Sequence, residues 1–216
     1  MKQIAAREKT IKMTNPTISV VIACFNARAT LATALDSLLA QSYIDVEIVV
    51  VDGASRDGTV ELIQSYNDRI AAWISEPDAG IYDAWNKGLR LAKGEWIGFL
   101  GADDVYLPDA LHIYANHIAA HPELDYVSGQ VELFDELGKT RVIGEPWKWA
   151  RFRRFMCVAH VGSLHARKLF ENHGNYDTAY QVCGDYELLL RAGAGLRAGF
   201  VDATLARMKT GGISGT

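Results

Sequence analysis

The 216-residue sequence lacks clustered cysteines, long apolar runs and an excess of basic residues. Its only three cysteines, Cys24, Cys157 and Cys183, lie far apart and form no C-x-x-C pair. Neither a disulfide framework nor a thiolate zinc site is therefore indicated, and we expect a reducing, cytoplasmic setting. No apolar run approaches the roughly 18 to 20 residues that a membrane helix needs, and the longest, around Ile18 to Cys24, is far too short.

The chain also lacks an excess of basic residues. It carries 22 Lys and Arg against 26 Asp and Glu, which gives a formal net charge of −4. Without an overall positive field there is no long-range attraction to nucleic acid, so we expect no nucleic-acid partner. Residues 1–16 are mixed in charge and lack the continuous apolar stretch of a secretory signal, and we expect them to form a flexible arm.

The sequence does contain enough apolar residues, 49%, for one hydrophobic core, so we expect a single domain over residues 17–216. Uncharged, β-branched runs predict strands at 17–24, 46–51, 70–74 and 96–100. Helical periodicity predicts helices between them at 31–39, 59–66 and 81–92. Strands that alternate with helices predict an α/β fold with a parallel sheet.

The second half of the chain follows a different pattern. It predicts a helix from Pro108 to His121, a hairpin of strands 126–134 and 140–143, a helix at 185–194 and a late strand at 200–205. The hairpin implies antiparallel pairing. We therefore expect the sheet to become mixed here, and we expect the final GGISGT to be flexible.

Carboxylates follow three of the predicted strands at their carboxyl ends. Asp52 follows the second strand, Glu76 and Asp78 the third, and Asp103 and Asp104 the fourth. Ligands of open α/β sheets bind at this edge, so these side chains should converge on one crevice. Adjacent carboxylates repel each other unless a cation offsets their charge, and hard oxygen ligands suit Mg²⁺ or Mn²⁺. The pattern therefore predicts a metal that bridges a diphosphate.

Each acidic position also has a simpler explanation. Asp103 and Asp104 could cap the helix near Pro108, and Asp52 could be a turn residue that opens the DGASRDGT loop. Glu76 and Asp78 flank a proline and could form an ordinary acidic turn. Only the placement of all these carboxylates at the carboxyl ends of neighbouring strands favours a ligand-binding site.

Four segments together resemble the inverting family-2 glycosyltransferases with the GT-A fold: TISVVIACFNARATLATALDSLLAQSY, EIVVVDGASRDGT, SEPDAGIYDAWNKGLRLAKGEWIGFLGADD and GDYELLLRA. The third looks most like the bacterial branch that assembles capsular, colanic-acid-type and O-antigen polysaccharides. The resemblance implies a three-layer sandwich around a mostly parallel, mixed sheet. It implies a nucleotide-binding half at about 17–104 and an acceptor half at about 105–210.

The resemblance also implies an activity and roles for individual residues. The reaction is metal-dependent, inverting transfer from a nucleoside diphosphate donor, expected to be a UDP-sugar, to a hydroxyl of a glycan or lipid-linked acceptor. Asp52 would hydrogen-bond the nucleobase, Asp103 would hold the ribose, and Asp104 would ligate Mn²⁺ or Mg²⁺. Four further residues fall in family segments that line the donor pocket: Asn26, Asp78, Asn86 and Lys87. Asn86 and Lys87 could instead be solvent-facing helix residues.

The downstream segments resemble the catalytic and acceptor parts of the family. GDYELLLRA implies that Asp185, rather than Glu187, is the catalytic base, although a helix N-cap is the alternative role for Asp185. AHVGSLHARKLF implies that His160 or His165 borders the acceptor. A buried histidine is often purely structural, and this alternative stays open.

The segment WKWARFRRFM, residues 147–156, is unusual in an acidic chain because it combines basic and aromatic residues. As a helix it could rest on an anionic membrane surface and present a lipid-linked acceptor, or Trp147 could stack against an acceptor sugar. It could equally be a packing helix or a contact between two copies of the chain, with its arginines reaching to solvent.

Two other functions also use a nucleotide-binding α/β domain. A sugar-phosphate nucleotidyltransferase needs a glycine-rich phosphate loop after the first strand, but CFNARATL contains no glycine and the dinucleotide fingerprint is missing there as well. An inactive domain that binds nucleotide or glycan as a scaffold remains open. Hydrolysis of donor sugars distinguishes an enzyme from such a binder.

Overall fold

The computed structural model describes residues 17–135 and 137–211, so the predicted N-terminal arm and residues 212–216 lie outside the described part. The strands are β1 (Ile18–Cys24), β2 (Val46–Asp52), β3 (Ala72–Ser75), β4 (Trp96–Gly101), β5 (Val105–Tyr106), β6 (Tyr126–Phe134), β7 (Thr140–Ile143), β8 (Ser163–Ala166) and β9 (Ala198–Lys209). The helices are α1 (Leu31–Leu39), α2 (Thr59–Ser65), α3 (Ile81–Leu91), α4 (Ala110–Ala120), α5 (Trp149–Phe152), α6 (Arg167–His173) and α7 (Gly184–Ala192). Among the described residues, no helix has the length and apolar character needed to cross a membrane.

All the described strands join one sheet in the order β3-β2-β1-β4-β8-β6-β9-β5, with β7 paired to β6. Strands β3, β2, β1 and β4 are parallel, as their alternation with helices predicts. The remainder is mixed, because β8 runs antiparallel to both β4 and β6, whereas β6 and β9 are parallel. The predicted hairpin is confirmed, with Phe134 of β6 opposite Thr140 of β7.

Hydrophobic cores cover both faces of the sheet. Val20 and Ile22 of β1 point into a core shared with α1 and α4, whereas Val21 and Ala23 point into a second core shared with α3, α6 and α7. Helix α3 lies so close to β1 that a Cβ on Gly88 would come within 2.2 Å of Val21 Cγ1. Helices on both faces of a mixed sheet form the three-layer GT-A sandwich that the resemblance implies.

The register of the parallel strands brings their carboxyl ends to one edge. Cys24 at the end of β1 pairs with Asp52, and Asp52 pairs with Ser75 at the end of β3. On the other side of β1, Ala23 pairs with Gly101 at the end of β4. Asp52 and Gly101 are thus separated by two inter-strand spacings, roughly 10 Å. The predicted convergence of the acidic positions on one edge is confirmed for these strand ends.

Several element boundaries differ from the predictions. Strands β5 and β8 and helix α6 were not predicted, because β5 and β8 are very short and α6 follows β8 without a turn residue between them. Strand β9 is twice as long as expected, and the helix of the 147–156 segment is confined to Trp149–Phe152.

Candidate active site

Asp52 is fully buried at the end of β2, and its carboxylate is surrounded by donors from the protein itself. It accepts hydrogen bonds from the backbone N of Ser55 (3.0 Å), the hydroxyl of Ser75 (2.6 Å) and the Ser55 hydroxyl, and Cys24 Sγ lies 3.7 Å away. These contacts fold the DGAS turn back onto the strand. These bonds agree with the turn role of Asp52, and its contact with a nucleobase remains a prediction.

Asn26 links the loops that follow β1 and β2. Its backbone adopts a left-handed φ of 49°, which asparagine tolerates better than most residues. Its side-chain Oδ1 accepts from the backbone N of Arg56 (3.0 Å), and its own backbone N donates to Ser55 Oγ (2.7 Å). Asn26 thus shapes the floor of the predicted donor pocket through the loops, with its side-chain oxygen already bonded.

Phe25 is a candidate that sequence reasoning missed. Its ring is 65% exposed at the end of β1, and its Cδ2 lies 3.3 Å from the position that a Cβ on Gly53 would occupy. The Oδ2 atom of Asp78 lies 2.6 Å from the same position, so Phe25, Gly53 and Asp78 lie close together at the carboxyl edge of the sheet. An exposed aromatic ring here offers a surface on which a nucleobase can stack. The available signal was an aromatic residue placed directly after a buried strand.

The loop between β3 and α3 is held by Lys87, which is buried rather than solvent-facing. Its ammonium donates to the carbonyl of Pro77 (2.6 Å) and pairs with Glu76 (3.1 Å) and Asp83 (3.5 Å). Burial by itself lowers the pKa of Lys87, but the bond to Glu76 and the charge of Asp83 raise it overall, so the group stays charged. Glu76 therefore forms an ion pair within this loop, which agrees with the alternative that it belongs to an ordinary acidic turn.

Asp103 and Asp104 form a carboxylate pair at the end of β4. A Cβ on Gly101 would lie 2.5 Å from Asp104 Oδ2 and 3.2 Å from Asp103 Oδ1, so the glycine gives both side chains room to fold toward the strand end. Asp104 is 5% exposed and accepts from the backbone N of Lys209 (3.1 Å), whereas Asp103 is exposed. Neither caps α4, because that helix begins at Ala110 with Asp109 as its N-cap. The capping alternative is wrong.

The electrostatics of this pair suit a cation. Burial and the charge of Asp103 raise the pKa of Asp104 from 3.8 to about 7, so its negative charge lacks compensation. Within the described ranges no three His, Cys, Asp or Glu side chains form a complete metal cage. Two carboxylates alone do not fill the coordination shell of Mg²⁺ or Mn²⁺. The remaining oxygen ligands would come from a bound diphosphate and from water.

Asp185 lies in the first turn of α7, half-buried. The hydroxyl of Tyr82, in the first turn of α3, donates to its Oδ1 at 3.1 Å. Burial raises the pKa of Asp185 above its ordinary value, although hydrogen bonds from Tyr82 and from the backbone of Tyr186 partly oppose the rise. The N-cap alternative is wrong, because Cys183 occupies that position. A half-buried carboxyl with a raised pKa has the properties of a general base.

Glu187 faces a different environment from Asp185. Its carboxylate forms a two-bond ion pair with Arg191 one turn later on α7, with distances of 2.7 and 3.0 Å. Arg191 in turn donates to the carbonyl of Asn175 at 3.0 Å. Glu187 therefore helps to anchor the loop between α6 and α7.

Asn86 is buried in α3 and its amide is fully engaged. Its Nδ2 donates to the carbonyl of Tyr176 (2.8 Å), and its Oδ1 accepts from the backbone N of the same residue (3.1 Å). The solvent-facing alternative is wrong. Direct contact with the donor would require both bonds to break, so this geometry assigns Asn86 the support of the α6–α7 loop.

The two predicted acceptor-side histidines, His160 and His165, are both buried in the core. His160 is buried between Trp85 and Phe99, with ring centroids 4.4 and 5.3 Å away. Burial lowers its pKa to about 3, and neither ring nitrogen has a hydrogen-bond partner among the described residues. His165 is also buried, with Nδ1 3.3 Å from the carbonyl of Ile97. Burial and aromatic packing support the structural alternative, and the acceptor role of His160 remains a prediction.

Three aromatic residues of the 147–156 segment, Trp147, Trp149 and Phe152, pack against the core. Phe152 is fully buried, and Trp147 packs on it at a centroid distance of 4.3 Å and on Tyr126 at 6.2 Å. The side chains of Arg153 and Arg154 are exposed, and Phe155 is half-exposed under Arg151. Trp147 is thus half-buried and part of the core packing, and its predicted contact with an acceptor sugar remains a prediction.

A three-layer GT-A sandwich with a carboxylate pair at the end of β4 places this chain among the GT-A glycosyltransferases. Residues 19–166 match the family described as Glycosyl transferase family 2. The chain belongs to that family.

Curated relatives and solved structures agree with this assignment. The PGL/p-HBAD biosynthesis glycosyltransferase of Mycobacterium tuberculosis (strain ATCC 25618 / H37Rv) is 33% identical over 189 residues, which cover 83% of this chain and 70% of the relative. The crystal structure of S. aureus TarS 1–349 in complex with UDP-GlcNAc has a TM-score of 0.77 at 18% identity, and the match covers 90% of this chain and 59% of that one.

A second solved structure, mannosyltransferase PcManGT from Pyrobaculum calidifontis in complex with GDP-Man and Mn²⁺, has a TM-score of 0.69 at 22% identity. That match covers 90% of this chain and 57% of the mannosyltransferase. The chain thus spans less than two thirds of these solved chains. At such low identities the likeness shows the shared fold.

Proposed function

We propose that this protein is an inverting, metal-dependent glycosyltransferase that moves a sugar from a nucleoside diphosphate donor, a UDP-sugar, to a hydroxyl of a glycan or lipid-linked acceptor. The observation that carries the proposal is the presence of two separate acidic centres at one edge of the sheet. The Asp103–Asp104 pair ends β4, and Asp185 lies beside the first turn of α3. One centre suits a cation with a diphosphate, and the other suits removal of a proton.

The donor would lie along the ends of β1, β2 and β4. Phe25 supplies an exposed ring for the base, and the loops organised by Asp52 and Asn26 supply the floor beneath it. Asp103, exposed at the rim, is free to accept a hydrogen bond from the ribose hydroxyls. Asp78 lies close to Phe25 and Gly53, where it can contact the nucleoside. The donors printed for the solved neighbours, UDP-GlcNAc and GDP-Man, are of this chemical class.

Asp104 would hold the metal, with Asp103 adding negative charge next to it. A bound Mn²⁺ or Mg²⁺ would neutralise the charge that develops on the departing diphosphate. The Mn²⁺ in the mannosyltransferase neighbour supports divalent metal use within this fold.

Asp185 would take the proton from the acceptor hydroxyl as that oxygen attacks the anomeric carbon. Because the diphosphate leaves from the opposite face, a single displacement inverts the configuration. Partial burial favours the base, because a pKa raised toward the working pH makes a carboxylate a stronger proton acceptor.

The bacterial setting of the proposal is surface polysaccharide synthesis at the cytoplasmic side of the membrane. The mycobacterial relative, a biosynthetic glycosyltransferase, supports this class of process. The exposed arginines of the 147–156 segment provide a basic surface for peripheral contact with anionic lipid. Association of two copies of the chain stays a prediction.

The proposal is tested with a panel of nucleotide sugars. UDP-Glc, UDP-Gal, UDP-GlcNAc, UDP-GalNAc and GDP-Man are incubated with the protein and Mn²⁺ or Mg²⁺, and release of the nucleoside diphosphate is measured. We expect slow, metal-dependent turnover of at least one UDP-sugar, which is lost with chelator. Binding of UDP without any turnover across the panel would instead favour a scaffold, and no binding at all would contradict the donor site.

A further inference from the structure

Tyr82 is a buried residue that neither the donor site nor the metal site uses. Its ring, 5% exposed, packs on Trp85 at a centroid distance of 5.3 Å and on Tyr176 at 5.6 Å. A buried phenol usually needs a hydrogen-bond partner, and here the partner is Oδ1 of Asp185 at 3.1 Å.

Helix α7, which carries Asp185, packs closely against the Tyr82 ring. A Cβ on Gly184 would meet Tyr82 Cε2 and Cζ at 2.9 Å, so only glycine allows α7 to approach so closely. Gly184 and Asp185 therefore act together, the first by admitting the ring and the second by accepting its hydrogen bond. The contact joins residues 103 positions apart in the chain.

We propose that Tyr82 is a positioning residue for the catalytic base: its hydroxyl fixes one oxygen of Asp185 and holds the carboxylate in its charged form, with the other oxygen left for the acceptor proton. This inference rests on the proposed function, because it assigns Tyr82 a role through Asp185. Tyr82 itself need touch neither sugar.

The other groups around Asp185 do not replace this bond. His165 of β8 approaches Asp185, but burial lowers its pKa well below the ordinary value and keeps it neutral. Burial also raises the pKa values of Tyr126 of β6 and of Tyr176, so both remain neutral phenols. The backbone N–H of Tyr186 also favours the anion, but it is unaffected by a side-chain change. Loss of the Tyr82 hydroxyl should therefore raise the pKa of Asp185.

The direct test is the titration of Asp185 itself. Aspartate carboxyl carbons are labelled with ¹³C, and the Asp185 signal is assigned by its loss in Asp185→Asn. Tyr82→Phe keeps the ring and removes only the hydroxyl. A hydrogen bond to a charged group changes the ionisation constant of that group by a factor on the order of ten to a hundred. We therefore expect the pKa of Asp185 to rise by about one to two in Tyr82→Phe.

Tyr176→Phe is the matched control. It removes a buried hydroxyl from the same aromatic cluster, and that hydroxyl has no hydrogen-bond partner among the described residues. The pKa of Asp185 should stay at its wild-type value. A second variant, Gly184→Ala, keeps the hydroxyl but crowds the ring, and it should shift the pKa upward as well.

Turnover of UDP-GlcNAc, or of the panel sugar that the wild type consumes, adds the functional measurement. Tyr82→Phe should be slower than wild type by up to about tenfold at low pH and should recover as the pH rises above the pKa of Asp185, whereas a loss of packing would slow it at every pH. An unchanged Asp185 pKa in Tyr82→Phe, or an equal shift in Tyr176→Phe, would overturn the positioning role while leaving the proposed function intact. A shifted pKa with no turnover of any nucleotide sugar would instead overturn the base role on which it depends.

Discussion

At the scale of single residues, Asp185 and Glu187 offer an internal comparison. They lie two positions apart on α7, but Asp185 contacts Tyr82 whereas Glu187 is paired with Arg191. Asp185→Asn keeps the shape and removes the basicity, so transfer should fall by on the order of a hundredfold to ten-thousandfold. Folding and UDP binding should persist, as measured by circular dichroism and calorimetry.

The control for this change is Glu187→Gln, which weakens a partly exposed ion pair and should leave most of the activity. If Asp185→Asn transfers sugar at close to the wild-type rate while Glu187→Gln is inactive, the base has been assigned to the wrong carboxylate.

The raised pKa of Asp104 predicts that the metal-free protein becomes less stable as the pH rises. Its pKa is about 7 in the folded protein and 3.8 without structure, so the folded state binds the proton more tightly between these values. Without metal, this carboxyl therefore lowers the free energy of unfolding as pH rises from about 4 to about 7. Asn cannot ionise, so Asp104→Asn should be more stable than wild type by on the order of 2–4 kcal/mol at pH 8 and nearly equal to it at pH 4.

Urea denaturation in the presence of a chelator measures this difference. Asp103→Asn is the comparison variant: Asp103 is exposed, and its charge is a smaller cause of the raised Asp104 pKa than burial is, so this variant should be stabilised at pH 8 by less than Asp104→Asn. Mn²⁺ with UDP should reverse the advantage of Asp104→Asn, because the variant loses a hard oxygen ligand. An equal stability difference at pH 4 and pH 8 would show that the Asp104 carboxyl is not held in this charged, buried state.

The sequence was most informative about residues that follow strands. The placement of Asp103 and Asp104 at the sheet edge follows from local patterns, because a parallel strand carries its end to that edge. The roles of Asp52 and Asn86 could not be predicted in this way, because their hydrogen-bond partners lie up to 90 positions away. Whether a polar side chain is free or already bonded depends on such tertiary contacts.

At the scale of elements, the long periodic segments were predicted well. Helices α1 and α3 and strands β1, β2 and β4 lie within a residue or two of the predicted bounds. The errors concern short elements whose pairing partners are distant, such as β8, which is held between β4 and β6. Four residues carry too little periodicity to indicate a strand, and tertiary pairing decides their conformation.

The 147–156 segment contributes aromatic side chains to the core and arginine side chains to the surface. Trp147, Trp149 and Phe152 pack it onto the core, whereas Arg153 and Arg154 are exposed to solvent. We expect weak binding to vesicles that contain anionic lipid, lost at high salt, because the attraction is electrostatic and screened. Co-sedimentation with anionic and neutral vesicles measures it.

The double variant Arg153→Ser, Arg154→Ser should lose most of this binding, and Arg69→Ser, a change to an exposed arginine elsewhere, should not. Equal recovery of the protein with neutral and anionic vesicles would contradict the membrane contact and leave the segment a packing element.

At the scale of the whole molecule, the parallel half and the mixed half of the sheet meet at β4. The parallel half brings Phe25, Asp52 and Asp78 to its carboxyl edge, and helices α3 and α7 bring Tyr82 and Asp185 together. We propose that a metal-bound diphosphate at Asp104 and the proton acceptor Asp185 lie on opposite sides of one anomeric carbon. This separation is what single displacement requires.

The stereochemistry of the first product tests this account most directly. Hydrolysis of an α-linked UDP-sugar by the wild-type protein with Mn²⁺ is followed by proton NMR before the released sugar mutarotates. The account predicts that the β-anomer appears first, together with UDP, and that Asp185→Asn abolishes its appearance. Initial release of the α-anomer would contradict direct displacement at this site.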